Sequence, residues 1–416
     1  MAPSAVSGLV TVEEARRSVL SSCRPLDAVR VPLADALGLV AARPIFSTET
    51  VPPFANSSMD GYALRARDVA AGPAKLRVVG QLMAGDDPGA LVVGEGEAVR
   101  IMTGAALPDG ADAVCMIEHT RPRDGWVLIE EAVGPGTNVR RPGDDIAAGE
   151  EVFAAGESLG PAHIGVLASL GVAQVDVFPR PRVGVVSTGD ELVAITGPLA
   201  PGKIRDSNRP SLLARLRADG FQAVDLGWAG DEPGALAHTL VQAAQACDAV
   251  LTSGGVSVGD RDIVRVVLEE LGGQQARWWQ VAVRPGKPFA FSTFPPRSTP
   301  VFGLPGNPVS ALVSYELFAR PALRLMAGQR SLERPRLPAV AASDMRRHPD
   351  GRLHLVRVTV KTGPAGLEAR PSGGQGSHQL RALAAANALA FLPDGEGVAA
   401  GEPLEVWVLD PDGLSP

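Results

Sequence analysis

The stretch from Leu251 to Asp262, LTSGGVSVGDRD, combines features that can bind an anion or a metal ion. The apolar run that leads into it predicts a buried strand. Ser253-Gly254-Gly255 then predicts a tight turn whose backbone N–H groups can approach an anion closely. Asp260 and Asp262 follow, just before a helical pattern that begins at Ile263. This order is typical of a phosphate or metal site in an open α/β sheet, although a plain strand-to-helix turn with an aspartate N-cap has the same residues.

Polar and charged groups also follow the other predicted strands of this segment. Ligands of open α/β sheets bind beyond the carboxyl ends of the strands, so we expect these loops to converge on one crevice. Asp231 and Asn307 equally fit simple helix N-caps, and Ser187 and Ser253 fit turn formers better than nucleophiles. The loops are Ser187-Thr-Gly-Asp-Glu191, Gly230-Asp231, Arg284-Pro-Gly-Lys287 and Gly303-Leu-Pro-Gly-Asn-Pro308.

The charges in these loops are of both signs. The carboxylates of Glu191, Asp231, Asp260 and Asp262 are hard oxygen ligands, which suit Mg²⁺ holding a phosphate. Arg284 and Lys287 lie on backbone stiffened by proline and could clamp an oxyanion. Together they predict a phosphate-bearing ligand with a divalent metal. The GxGxxG and GxxxxGK[ST] fingerprints are absent from the sequence, which disfavours a Rossmann dehydrogenase and a P-loop ATPase.

Four further stretches combine residue types that could belong to a site, although ordinary turn or loop chemistry would also explain each of them. Three lie at the edges of a predicted β domain, and the fourth is a glycine turn into a short helix that could bind an anion. They are SSMDGY with Asp60, RIMTGA with Thr103, NVRRPGDD with Asp145, and GGQGSHQLR with Ser377.

The hydrophobic periodicity places these residues on a multidomain α/β plus β chain. Alternating apolar strands and helices predict a doubly wound, mostly parallel α/β domain over residues 179–328. Short strands between Gly/Asp/Pro turns predict a β-rich inserted domain over residues 53–142. The flanks, residues 1–52 and 143–178, predict one discontinuous, partly helical N-terminal linker domain. Alternating runs over residues 329–416 predict a small C-terminal β domain.

Local signals predict individual elements of this plan. Thr11 and Glu14 form a capping-box pattern at the start of a helix. A second helical pattern runs through Leu33, Leu37 and Val40, and Trp278–Val283 predicts one strand.

The composition limits the class of protein. The chain has 416 residues, of which 45% are hydrophobic, and this is enough to form several hydrophobic cores. Its net charge is −7. No dense Lys/Arg cluster is present, which argues against nucleic acid or an anionic membrane as a partner. The three cysteines lie far apart in the sequence, which fits a reducing compartment, and no two histidines have a metal-ligand spacing. The sequence also lacks an apolar run long enough to span a bilayer and a signal-peptide pattern. These features favour a cytoplasmic protein.

Nine motifs, in this order along nearly the whole chain, resemble those of the MoeA family, the molybdopterin molybdenumtransferases. They are SSMDGYA, RIMTGA, NVRRPGDDI, STGDEL, IRDSNR, SGGVSVGDRD, RPGKPFAF, GLPGNPVSA and GSHQLRALAAANAL. The resemblance implies an elongated homodimer of four-domain subunits. It also implies insertion of molybdate into adenylylated molybdopterin with Mg²⁺ and release of AMP, followed by transfer of the cofactor to molybdoenzymes or their chaperones.

The family pattern also implies roles for individual residues. The active site would lie between the α/β domain of one subunit and the inserted β domain of the other. Metal-linked roles would fall on Glu191, Asp231 and Asp262, and phosphate or pterin binding on Ser253, Gly254 and Gly255. Molybdate, a tetrahedral dianion, would need Arg284, Lys287, the Ser377 turn or backbone N–H groups nearby. Further family positions are Asp60, Thr103, Asp145, Pro305, Pro308 and Ser377.

The chain departs from the family pattern where lysines are common. It carries Gln280 and Arg284 there, and only the arginine keeps the charge. The family pattern uses all 416 residues, so no second, adenylylating domain is expected. Two other functions stay open: an adenylyltransferase that acts on molybdopterin, and a dimeric scaffold that binds partner peptides, a role that some eukaryotic relatives have taken.

Overall fold

The computed structural model of the chain describes residues 8–230, 232–256, 263–364 and 366–414. Within these ranges, no helix is long and apolar enough to cross a lipid bilayer. A π-helical segment, Tyr315–Ala319, connects two of the α-helices. The α-helices are Val12–Ser21, Pro161–Ser169, Asn208–Ala218, Pro233–Ala246, Ile263–Gly272, Pro308–Ser314, Arg320–Met326 and Leu380–Ala384.

The centre of the molecule is a six-stranded α/β sheet. Its first four strands are parallel, the fifth runs antiparallel to them and the sixth antiparallel to the fifth, so the predicted doubly wound, mostly parallel domain is confirmed. Val183 and Val185 pack on one face with helix Asn208–Ala218, and Val186 packs on the other with helix Pro233–Ala246. The strand order is Gln222–Ala229, Arg182–Thr188, Ala249–Ser253, Thr299–Leu304, Pro288–Phe294 and Arg277–Gln280.

The inserted segment folds as the predicted β-rich unit. Its six-stranded sheet has an apolar cluster on each face, one around Leu64 and Ile129 and one around Val99 and Ile101. The strand order is Ala113–Met116, Gly61–Leu64, Glu97–Ile101, Ala74–Leu82, Trp126–Ile129 and Thr120–Arg123.

Both flanks of the insertion meet in one small sheet, formed by strands Val29–Pro32, Gln174–Phe178 and Val40–Ala41. The predicted helix through Leu33, Leu37 and Val40 is wrong. Only Leu33–Asp35 forms a 3₁₀ turn, and Gly38 has a positive φ, which an α-helix does not allow. Val40 pairs with Phe178, so tertiary pairing overrides the local helical pattern. The residue limits of the four domains stay predictions.

The first helix begins as its sequence predicts. The Thr11 side chain accepts a hydrogen bond from the Glu14 amide at 3.1 Å, and the Glu14 carboxylate accepts one from the Thr11 amide at 2.9 Å. This reciprocal capping box satisfies two N–H groups that have no partner inside the helix. Two-stranded pairs elsewhere join Asn56–Ser57 to Val139–Arg140, Ile45–Phe46 to Glu151–Phe153, and Leu192–Val193 to Ile204–Arg205.

The C-terminal segment forms a β barrel, because strand Leu353–Gly363 pairs with both Gly366–Pro371 and Ala388–Leu392. Strands Arg336–Ala341 and Pro403–Val408 complete the barrel, and a short pair joins Met345–Arg346 to Gly397–Val398. The single strand expected over Trp278–Val283 is wrong. Arg277–Gln280 belongs to the α/β sheet, whereas Val283–Arg284 pairs with Leu353 and His354 of the barrel.

A buried set of charges lies where the α/β domain meets the segment that leads to the barrel. We call Arg215, Asp219, Glu316, Arg320 and Arg334 the Asp219 cluster. Asp219 contacts Arg215, Arg320 and Arg334 at 2.5, 3.3 and 3.2 Å, and Arg334 also contacts Glu316 at 2.9 Å. The Asp219 and Glu316 side chains are each 5% exposed, so the ion pairs are shielded from water.

Candidate active site

Three neighbouring parallel strands end side by side at one edge of the α/β sheet. Ser187 pairs with Ser253, and Ser253 pairs with Leu304, so the loops that follow these strands leave the sheet at the same level. Gly306 also approaches Gly254, because a Cβ on Gly306 would lie 3.6 Å from the Gly254 Cα. The convergence expected for ligand loops of an open α/β sheet is therefore found here.

The glycine turn after Ser253 is needed for close packing. Gly254 has a φ of +102°, and a Cβ there would lie 2.5 Å from the Thr188 carbonyl oxygen. The Gly254 amide donates to the Leu304 carbonyl at 3.1 Å, so it is not free to bind a ligand. Within the described part of the chain, the Gly255 amide donates no hydrogen bond. Gly255, rather than Gly254, thus offers the free backbone donor of this turn.

Gly254→Ala should destabilise the protein and displace the turn. A positive φ alone costs an L-residue about 1–2 kcal/mol, and the backbone clash with Thr188 adds to this cost. Gly72→Ala is a matched control, since Gly72 has a φ of +107° and a Cβ there would meet nothing within 4 Å. Thermal unfolding of both variants should show the larger loss for Gly254→Ala. Equal losses would mean that the close approach to Thr188 is unimportant.

Several polar atoms at this edge are buried without a hydrogen-bond partner. They are Ser187 Oγ, Thr188 Oγ1 and Asn208 Oδ1. Asn208 is the first residue of its helix, and its Nδ2 donates to Ser253 Oγ and to the Gly306 carbonyl, both at 2.7 Å. A buried polar atom without a partner costs free energy, so three of them beside one turn indicate a place where a polar ligand binds.

The predicted oxyanion-binding loop lies between the sheet and the barrel. Strand Val283–Arg284 pairs with the barrel, and a Cβ on Gly286 would lie 2.9 Å from Ser314 Oγ in the helix that starts at Pro308. Arg284 is exposed and Lys287 is half-buried. Gln280, also half-buried, ends the edge strand of the α/β sheet. Both cations are therefore available to an anion near this loop.

The loop that contains Ser377 contacts the same helix and covers a buried arginine. The Ser377 carbonyl accepts from the Val309 amide at 3.1 Å. Behind the loop, Arg357 is fully buried, and its Nη2 donates to the carbonyls of Gly374 and Gly376 at 2.8 and 3.2 Å. Its Nε and Nη1 are buried without a hydrogen-bond partner. Burial lowers the pKa of Arg357, and no carboxylate among the described residues pairs with it.

The inserted domain holds a separate polar group. Asp60 Oδ1 accepts from the amide and from the hydroxyl of Thr103, both at 2.8 Å. These two hydrogen bonds lower the pKa of Asp60, with a smaller contribution from the Arg100 charge. Asp145 is exposed, and its amide donates to the Val51 carbonyl. Across the described ranges, no hydrogen bond or ion pair joins Asp60, Thr103 or Asp145 to the strand-end loops.

The predicted metal ligands are only partly within the described residues. Glu191 is exposed in the loop after Thr188, whereas Asp231, Asp260 and Asp262 lie outside the described ranges. In those ranges, no three His, Cys, Asp or Glu residues are grouped closely enough to hold a metal ion. The ligand set therefore stays a prediction.

Of two predicted helix caps, one is wrong and the other is found at its predicted position. The cap of helix Pro233–Ala246 is Glu232, whose carboxylate accepts from the Gly234 and Ala235 amides, so the Asp231 cap is wrong. Asn307 occupies the N-cap position before Pro308, but its side chain makes no capping hydrogen bond. Pro305 is buried, and Pro308 is the first helical residue.

Sequence reasoning assigned no role to Asn208 or Arg357. Asn208 lies in IRDSNR, one of the motifs that carry the family resemblance, and its place at a helix start was the available signal. Arg357 lies in the alternating strand Leu353–Gly363, on the same side as the buried Leu355. A charge at an apolar position of such a strand is itself unusual and could have indicated a site.

Comparison with known proteins accounts for nearly the whole chain. Residues 10–171 match the "MoeA N-terminal region (domain I and II)", residues 184–325 a "Probable molybdopterin binding domain", and residues 338–409 the "MoeA C-terminal region (domain IV)". These three matches follow one another without overlap and include the strand-end loops, Asp60 and the Ser377 loop.

Relatives of similar length and fold are known. The chain is 37% identical to a molybdopterin molybdenumtransferase of Haemophilus influenzae, over 96% of this chain and 98% of the relative. It is 40% identical to a protein of the same name from Nostoc sp., over 88% and 85%. A crystal structure of the molybdopterin biosynthesis MoeA protein from Pyrococcus horikosii superposes with a TM-score of 0.82 at 32% identity, covering 97% and 99% of the two chains. The chain belongs to the MoeA family, the molybdopterin molybdenumtransferases.

Proposed function

We propose that the protein inserts molybdenum from molybdate into adenylylated molybdopterin and releases AMP. The observation that carries this proposal is the set of buried, unpartnered polar atoms at the strand ends, together with the unpaired guanidinium of Arg357. Phosphate oxygens would accept from the hydroxyls of Ser187 and Thr188, and a second, oxyanionic ligand would accept from the guanidinium of Arg357. The 37% identity to a molybdopterin molybdenumtransferase over nearly the full length supports the same reaction.

The strand-end loops supply the phosphate-binding half of the site. The amide of Gly255 and the hydroxyl of Ser253 are donors that no described acceptor uses. Donors of this kind suit phosphate oxygens, which accept hydrogen bonds. They also favour charge that develops on a departing phosphate, because fixed donors need no reorganisation during the reaction. Pro305 and Pro308 keep the neighbouring loop in a fixed path beside the turn.

The barrel and the Arg284–Lys287 loop supply the molybdate-binding half. Molybdate is a dianion, so it needs cationic or N–H donors around it. Lys287 and Arg284 are available from the side of the sheet, and Arg357 lies behind the Ser377 loop. A dianion near Arg357 would also pair the buried charge that lacks a described carboxylate partner. Gln280 contributes no charge to this half.

We infer that Mg²⁺ acts with these residues, because the predicted donors are all carboxylate oxygens, the ligands that Mg²⁺ prefers. Glu191, Asp231 and Asp262 would hold the ion, which would withdraw negative charge from the phosphate groups. Asp262→Ala should therefore slow AMP release at a fixed Mg²⁺ concentration, and excess Mg²⁺ should restore part of it. AMP release at the wild-type rate would contradict the assignment of Asp262.

We further propose that a second copy of the chain completes each site with Asp60, Thr103 and Asp145. Asp60 is held ionised by Thr103, yet no described contact links it to the strand-end loops. The chain around this group also exposes apolar side chains, with Phe46, Phe54 and Met59 being 54%, 49% and 39% exposed. Large apolar side chains exposed near a polar group are common at protein interfaces, and a twofold dimer would bury each of them in both copies.

The reaction is tested by mixing the purified protein with adenylylated molybdopterin, molybdate and Mg²⁺. AMP and active molybdenum cofactor should both appear, and their absence would contradict the proposed function. A parallel reaction with molybdopterin and Mg-ATP tests adenylylation, and accumulation of adenylylated molybdopterin there would favour that activity instead. Delivery of the product to molybdoenzymes or their chaperones, and the cytoplasmic location, stay predictions.

The shared site is tested by mixing two inactive variants, Asp60→Asn and Arg357→Met. In a mixed dimer, one site would carry both substitutions and the other would carry none. Random exchange of subunits should then restore about one quarter of the wild-type activity, because half of the dimers are mixed and each has one intact site. If each site is built within one chain, every site carries one substitution and mixing restores nothing.

A further inference from the structure

The side chain of Asn208 joins two of the three strand-end loops. Its Nδ2 lies 2.7 Å from Oγ of Ser253, the last residue of strand Ala249–Ser253 and the one that leads into the glycine turn. The same nitrogen lies 2.7 Å from the carbonyl oxygen of Gly306, in the loop after strand Thr299–Leu304. Both distances are short for N–H···O hydrogen bonds, so the amide group holds the two loops at a fixed separation.

The orientation of this amide is determined by its partners. The Gly306 carbonyl can only accept a hydrogen bond, so the group that faces it must be the NH₂ of Asn208 and not its oxygen. The second hydrogen of that NH₂ is directed at Ser253 Oγ. Ser253 therefore accepts from Asn208, and its own hydroxyl hydrogen must be directed elsewhere.

The Ser253 hydrogen has no acceptor among the described residues, although the residue is only 2% exposed. A hydroxyl that accepts one hydrogen bond and donates none presents its hydrogen to whatever ligand lies beside it. If the hydroxyl instead donated to a protein oxygen, it would turn its lone pairs towards the ligand. Phosphate oxygens at neutral pH are acceptors, so lone pairs would repel them and a hydrogen would bind them.

We propose that Asn208 is a positioning residue that makes Ser253 a hydrogen-bond donor to a phosphate oxygen of the substrate. This assignment rests on the proposed function, since it takes adenylylated molybdopterin as the ligand. Asn208 does not itself touch the phosphate in this arrangement. It acts through Ser253, and its second hydrogen bond, to the Gly306 carbonyl, fixes the amide so that its NH₂ faces Ser253 Oγ.

A double-mutant cycle tests this dependence. The dissociation constant for adenylylated molybdopterin is measured without molybdate, for wild type, Ser253→Ala, Asn208→Ala and the double variant. Ser253→Ala should bind adenylylated molybdopterin about 10- to 100-fold more weakly than wild type, because it loses a donor to a charged phosphate. Asn208→Ala should weaken binding less, because the freed hydroxyl still samples the donating orientation. The double variant should bind no more weakly than Ser253→Ala, and additive losses would overturn the proposal.

Asn208→Asp tests the direction of the hydrogen bond. A carboxylate cannot donate, so Ser253 would turn to donate to it, and binding should be weaker than for Asn208→Ala. Part of that loss is direct repulsion between the carboxylate and the phosphate. The same comparison in a Ser253→Ala background measures the repulsion alone, since no hydroxyl remains. The difference in affinity between Asn208→Asp and Asn208→Ala should therefore be larger when Ser253 is present than in the Ser253→Ala background. Equal differences in both backgrounds would contradict the proposed direction of the hydrogen bond.

Melting temperatures of all variants check that the fold is intact. If Asn208→Ala does not fold, Asn208→Ser replaces it in the cycle, because it also removes the bridge between the two loops. If wild type fails to bind adenylylated molybdopterin, the proposed function is overturned together with this assignment. If wild type binds and the two losses add, only the role of Asn208 is overturned.

Discussion

Replacing Arg357 with methionine should remove most of the molybdate-dependent AMP release while leaving the melting temperature unchanged or higher. Arg357 is fully buried, two of its donor atoms have no partner, and no described carboxylate pairs with it. A buried charge without a counter-charge costs stability, so a methionine of similar shape should relieve that cost. Loss of one fixed donor to a reacting oxyanion typically slows catalysis about 100- to 1000-fold.

The measurement is AMP release as a function of molybdate concentration, together with thermal unfolding. Arg357→Lys keeps a positive charge and should retain more activity than Arg357→Met. Arg370→Met is the matched control, because Arg370 is an exposed arginine in the adjacent strand of the same barrel, and it should behave as wild type. Normal AMP release by Arg357→Met would refute the role. A fall in melting temperature that matches the loss of activity would indicate a structural role instead.

Asp219→Asn should be the most destabilising of the substitutions considered, at about 3–5 kcal/mol, because it removes a buried carboxylate from several arginines. Burial alone would raise the pKa of Asp219, but the hydrogen bond from Arg215 and the charges of Arg320 and Arg334 outweigh it and lower the pKa. Tyr315 also donates to Asp219 at 2.8 Å. The substitution leaves Arg215, Arg320 and Arg334 with Glu316 as their remaining acid in the Asp219 cluster.

The same cluster predicts a pH dependence. An aspartate in the unfolded chain titrates near pH 3.9, about its ordinary value, whereas folded Asp219 titrates lower. The stabilisation is therefore complete above the unfolded-state pKa and is lost as the pH falls through the folded-state pKa. Urea unfolding at a series of acidic pH values should show a shallower loss for Asp219→Asn than for wild type. Asp176→Asn, at the exposed Arg30 pair, is the control and should change stability little.

The fold could be predicted from the sequence wherever an element's periodicity agrees with its final environment. The strands Arg182–Thr188 and Ala249–Ser253 are buried on both faces and read as continuous apolar runs. The Thr11–Glu14 capping box is a local device and is also found as predicted. Leu33–Val40 has a helical pattern but is divided by tertiary pairing, because Val40 joins a strand that lies far away in the sequence.

The candidate site was accessible to sequence reasoning only in part. Loops at the ends of parallel strands must meet, so the approach of Ser253-Gly254 to Leu304 follows from topology. The attachment of Val283–Arg284 to the barrel does not, since nothing local distinguishes it from a continuation of the preceding strand. The roles of Asn208 and Arg357 depend on which atoms lack partners after packing, and no sequence pattern contains that information.

The strand Val283–Arg284 restricts how the barrel can move. It belongs to the α/β segment in sequence, but its backbone pairs with Leu353 and His354, and the Ser377 carbonyl forms a further contact with Val309. Because the barrel is attached to the α/β domain at these two places, it cannot rotate freely about the single peptide that connects them. The separation of the sheet and the barrel is therefore set within a single chain. In the proposed dimer, admission of substrate would then depend on how far the two copies separate, so subunit exchange and turnover should respond together to changes at the proposed contact between the copies.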